Sequence, residues 1–153
     1  MNVRQVALLF CATGLSATTK AEDIKIKRSD LPPAVEATVS AQSVSASVRG
    51  FSVERENGKT FYEAAMTVNG HSKDILINSK GEIVEVEEEV AIAELTRDVK
   101  NGLLDKAGNA KIVKVESVTK KGQLVAYEAQ VVKGAKKSEI QVGPEGKTLP
   151  KAE

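Results

Sequence analysis

YEAAMTVNGHSKDILINSKGEIVEVE, residues 62–87, is the stretch from which the architecture can be read. Tyr62, Ala64, Met66 and Val68 alternate with Glu63, Ala65 and Thr67, the period of two that a half-buried strand requires. Asn69-Gly70 and Ser79-Lys80-Gly81 punctuate the run as turns, leaving Asp74–Asn78 as a second strand and Glu82–Val86 as a third. A degenerate copy follows 65 positions later: Tyr62-Glu63-Ala64 returns as Tyr127-Glu128-Ala129, Ile75 as Ile140 and Gly81 as Gly146. Upstream the offset is 64, with Leu31, Val35 and Gly58 returning as Leu95, Val99 and Gly122. A spacing kept over two whole segments predicts a duplicated folding unit.

Outward from this stretch, Asp30 is an expected N-cap. Pro32 and Pro33 fall in a first helical turn, where a missing N–H costs nothing. Leu31, Val35, Val39 and Gln42 then share one side of a helix whose Thr, Val and Ser content demands support from packing. Residues 48–55 read as a strand that ends at the hairpin signal Asn57-Gly58. In the second half, Leu95, Val99 and Leu103 predict a helix closing near Gly108, and 112–118, 125–131 and 138–142 predict strands. The expected fold class is α+β: two tandem helix-plus-antiparallel-sheet repeats, αβββ(β), over 24–89 and 90–149, with the helices on one face of the sheet. Each unit of about 65 residues is marginal alone. A shared or abutting sheet is therefore expected, and no Pro- or Gly-rich linker separates Val86 from Val90.

Residues 1–21 have a different character. Arg4 supplies a positive start, VALLFCA (6–12) an apolar core, and Thr19-Lys20-Ala21 small residues at a cleavage site, which together predict a secretory signal peptide. The apolar run falls short of the ~20 residues that span a bilayer. Cleavage after Ala21 would remove Cys11, the single cysteine. It would also take the basic count from 22 to 20 against 21 acidic residues. Near-neutral charge, with no basic stripe, excludes nucleic acid and anionic membrane as the expected main partners. A periplasmic or secreted location follows, with no transmembrane segment in the mature chain.

Leu31-Pro32, Tyr62-Glu63-Ala64, Ile75 and Gly81 form a pattern that resembles the PepSY-like family, the domain type of secreted metallopeptidase propeptides. The tandem arrangement is similar to that of two-copy helix-plus-sheet proteins that include a secreted β-lactamase inhibitor. The resemblance spans 26–149. The second copy departs from it with Leu95-Thr96, and the paired cysteines of that inhibitor are absent. It implies an exported protein that binds or inhibits another protein, such as a peptidase.

No nucleotide-binding, nucleophile-elbow or zinc-peptidase motif occurs, so no catalytic residue, cofactor or metal ligand is assigned. His71, the single histidine, lies in a turn without the His or Cys partners that a metal site or nucleophile needs. Glu85, Glu87, Glu88 and Glu89 could attract calcium, but they lie outside any D-x-D-x-D-G loop and read as solvated edge charges. Tyr62 and Tyr127 are expected core anchors. Phe61 falls on the opposite face with Glu63. It is either an exposed anchor for a partner or is covered by a neighbouring strand or the N-terminal segment. The expected function is that of a non-enzymatic exported binding module that meets another protein through a bare sheet face. The candidate contacts are Phe61, Glu63, Glu128 and Gln130. The alternative is a periplasmic structural or envelope-stress protein that binds small ligands or ions weakly.

Overall fold

Eight strands pair strictly in chain order, each antiparallel to the one before; short glycine turns return the chain beside itself in five of the seven pairings, and a helix bridges the other two. The computed structural model describes residues 24–149 except 57; the expected signal peptide and Cys11 lie outside these residues. The strands are β1 (Ile24–Ile26), β2 (Ser47–Glu56), β3 (Lys59–Val68), β4 (His71–Asn78), β5 (Ile83–Glu89), β6 (Lys111–Lys120), β7 (Gln123–Lys133) and β8 (Lys136–Val142). Helix α1 (Pro33–Gln42) connects β1 to β2, and α2 (Arg97–Ala107) connects β5 to β6.

This arrangement corrects the expected fold class. The chain forms one eight-stranded antiparallel sheet with two helices, not two tandem helix-plus-sheet repeats. The join is the β5–β6 ladder, Glu85 opposite Lys120 through Glu89 opposite Glu116. The Val90 N–H bonds to the Val115 carbonyl at 2.9 Å and the Lys121 N–H to the Val84 carbonyl at 3.2 Å. Two units with closed edges would have left those backbone groups to water. Pairing them fuses all the strands into one layer.

Both helices pack on the same face of this sheet. Val35 and Val39 of α1 sit on Ala64, Met66, Ile75 and Ile77. Val99 and Leu103 of α2 sit on Val115, Ala129, Val131 and Val142. Tyr62 and Tyr127 pack partly buried against these two clusters, one each. The helix starts have different chemistry. Thr96 caps α2 by accepting from the Val99 N–H at 3.3 Å. Pro32, not Asp30, occupies the N-cap of α1. Asp30 instead closes a 3-10 turn, its carboxylate accepting from the Lys27 N–H at 2.9 Å.

Turns lock each helix to the sheet. The β4–β5 turn at Gly81 lies so near α1 that a Cβ there would come within 2.5 Å of the Ala34 carbonyl oxygen. Thr38 on the same helix donates to the Gly81 carbonyl at 2.6 Å. After β8, Gly146 lies closer still to the Asp98 carbonyl of α2, and Lys106 reaches the Gln141 carbonyl at 2.7 Å. Val142 and Thr148 form an isolated antiparallel bridge beyond β8.

Candidate functional site

The face opposite the helices carries the side chains that alternate with the core: Glu54, Glu63, Asp74, Glu85, Glu87, Glu116, Glu128 and Glu139. All eight line one cleft of about 180 Å³, together with Lys114, Gln130, Ile75 and Leu76. Among the lining residues, then, eight are acidic and one is basic. The lining comes from every strand between β2 and β8. In a flat sheet those two strands would stand ~29 Å apart, at ~4.8 Å per strand. One small cleft touching both requires the sheet to curl with this face inside. Irregularities in the ladders at Val48/Gly50, Leu76/Ile77, Ile112/Lys114 and Val118/Thr119 supply local bends of the kind that curvature needs.

Curvature explains burial on a face that no helix among the described residues covers. Phe61 is 5% exposed, and Leu76, Val118 and Ala126 are likewise buried there. Of the two readings of Phe61, the structure has the covered one. Glu128 is 5% exposed and Glu116 4%, whereas Glu63 and Gln130 are half-buried. The structure thus gathers Glu63, Glu128 and Gln130 around one cleft, with Phe61 on the same face.

Cations are placed sparingly. Arg49, at the β2 irregularity, crosses over small Ala65 on β3. It reaches Asp74 on β4 at 2.7 Å and donates to the Met66 carbonyl on the way. Lys114 bonds Glu116 at 2.7 Å and Ser72 Oγ at 3.3 Å, and Lys120 lies 3.4 Å from Glu85. Ser72 also holds Glu89, its N–H donating at 3.0 Å. That contact draws the Glu89 carboxyl below its ordinary range. The Gln141 amide donates to Glu128.

Burial governs the titration of what remains. The Glu87 carboxyl is pushed up to about 8, first by desolvation, then by the negative charge of Glu128, Glu85, Glu116 and Asp74. Glu128 is pushed up to about 7 by desolvation, against the lowering effect of Gln141. Asp74 is raised by desolvation, with the Arg49 guanidinium opposing the shift.

The expectation that Glu85 and Glu87 are solvated edge charges is overturned. β5 lies in mid-sheet, Glu85 is 4% exposed and Glu87 half-buried. One carboxylate oxygen from each of Asp74, Glu87 and Glu116 falls within 4.8 Å of the others. Two of these groups are already bridged by Arg49 and Lys114, so their charge is met by protein and no metal is assigned to them. His71 is exposed at a strand start, 3.7 Å from Glu89. The acidic cleft itself was missed in the sequence. Its signal is one Glu or Asp on the same face of each of β3, β4, β6 and β7 and three on β5, read across strands and not along them.

No family model and no curated protein matches the chain. Solved structures do. A DUF2874 family protein from Bacteroides ovatus superposes with TM-score 0.60 at 22% identity, covering 78% of this chain and 85% of its own. A Bacteroides eggerthii protein described as periplasmic gives 0.63 at 18% identity over 78% and 86%. A BLIP-like protein from Bacteroides fragilis gives 0.56 at 16% identity over 78% and 84%. At these identities the likeness is one of fold. Among the described residues no helix is long and apolar enough to cross a membrane.

Proposed function

We propose that this chain is an exported, non-catalytic binding module that uses the concave face of its sheet to engage a basic segment of another protein. The observation that carries this reading is the cleft, where strands from β2 to β8 bring together eight carboxylates around one lysine. Low-dielectric walls lined by one sign of charge focus the field outward and draw cations in. The half-buried Glu63, Gln130 and Glu139 form the reachable contacts, while Glu128 and Phe61 lie buried on the same face. A rigid sheet loses little entropy on docking, which favours recognition by a preformed surface.

Export is supported by the signal-peptide pattern of residues 1–21 and by the fold shared with a Bacteroides protein described as periplasmic. The shared fold with a BLIP-like protein supports a protein partner, and the PepSY-like pattern favours a peptidase. The test is affinity capture from a bacterial envelope extract with the wild-type protein, with a Glu63→Lys/Glu139→Lys variant, and with a Lys100→Glu variant on the helix side. The reading expects a partner held by the wild type and by Lys100→Glu, weakened by salt, and lost with the double variant. A captured protein indifferent to the double variant, or no capture at low salt, would overturn it.

A further inference from the structure

The chemistry of the concave face leaves its charges unevenly matched. Three cations reach into it: Arg49 on Asp74, Lys114 on Glu116 and Lys120 on Glu85. Glu87 faces Asp74 and Ser72 from β4, Glu116, Lys114 and Lys120 from β6, and Glu128 and Gln130 from β7. Glu139 on β8 and Glu54 and Glu63 on β2 and β3 complete the surround, with Glu85 and Glu89 on its own strand. Among the described residues no cation forms an ion pair with Glu87 or Glu128. Glu87 lies within 4.8 Å of Asp74 and Glu116, half-buried and without a cation of its own, so its ionisation adds a third negative charge to a crowded, partly desolvated site and is disfavoured.

We propose that the concave face stores protons. In the folded protein at neutral pH, the group formed by Asp74, Glu87 and Glu128 holds at least one proton and yields it to solvent as the medium turns alkaline. The device regulates the face proposed above for binding, and rests on that reading only for this consequence. Near neutrality the face withholds part of its negative charge, and it presents that charge in full at higher pH. The proton belongs to the group as a unit, since close carboxyls titrate in coupled steps. Burial and neighbouring carboxylates both raise Glu87 and Glu128 in the same direction.

The sign of the stability effect follows. A carboxyl whose folded pKa lies above its unfolded one favours the fold at acid pH, and that contribution is lost as pH rises through the folded value. For Glu87 the window runs from its ordinary 4.5 to about 8.

The test uses the protein alone, so it stands apart from the capture experiment. In a carbon-13 NMR titration, the Glu87 side-chain carboxyl should have its midpoint more than about one and a half pH units above the ordinary glutamate value of 4.5. Any smaller separation overturns the proposal. In parallel, thermal unfolding midpoints are compared between pH 6 and pH 9. Glu87→Gln should gain on the wild type as pH rises. A variant whose offset from wild type stays constant, or worsens, across that range also overturns it.

Discussion

Single residues hold this fold where backbone meets backbone. Gly146 has φ +76° and its missing Cβ leaves the space filled by the Asp98 carbonyl at the start of α2. Gly58 has a similar φ of +72°, but no atom lies within 4 Å of the Cβ position. The two glycines separate conformational strain from steric exclusion. Gly58→Ala should cost about 1 kcal/mol, the left-handed penalty alone. Gly146→Ala should cost roughly 3 kcal/mol or more, because strain and collision with main chain add. Urea unfolding of the two variants measures this, and equal losses would show that the turn after β8 does not press on the helix. Gly81, beside the Ala34 carbonyl, belongs with Gly146 in this respect. The recurrence of Gly81 as Gly146 was therefore legible as sequence before its cause was: each clears a helix carbonyl.

At the scale of elements, alternation and turn chemistry made β2 to β8 readable, since each strand's pattern is local and each hairpin announces itself at Gly58, Gly70, Gly81, Gly122 or Gly134. Three things were not local. β1 has three residues and gains its place only by pairing Ile24–Ile26 with Phe51–Val53. The β5–β6 ladder joins strands with α2 between them in the chain, and no local pattern names the partner of an edge. Burial of Glu85, Glu87, Glu116 and Glu128 comes from curvature, whereas a period of two distinguishes faces but not whether the charged face is open or folded inward. Helix α2 was legible because its apolar spacing is regular, and it allows a sharp comparison of neighbours. Leu103 is 1% exposed against the sheet and Leu104 54% exposed. Leu103→Ala should destabilise by about 2–5 kcal/mol and Leu104→Ala by less than about 0.5 kcal/mol, measured as unfolding free energies. Comparable losses would place α2 differently from its position on Val115, Ala129 and Val131.

In the whole molecule, one curled layer gives two faces with opposite chemistry. The convex face is aliphatic and sealed by α1 and α2; the concave face is lined with carboxylates and left uncovered by helices. Continuity through β5 and β6 is what allows the carboxylates of β3 and β4 to share a cleft with those of β7 and β8. Two separate small sheets would each hold half of them, with neither the crowding that raises Glu87 nor the concentrated negative field on which the proposed basic partner depends. Function and titration therefore both rest on the curl. The most direct measurement is the dipolar distance between spin labels placed at Glu63 on β3 and Glu139 on β8. A flat sheet would hold these positions at least ~24 Å apart, five strand spacings. The curled sheet predicts a distribution centred well below that value, and one centred at or beyond it would contradict the concave cleft.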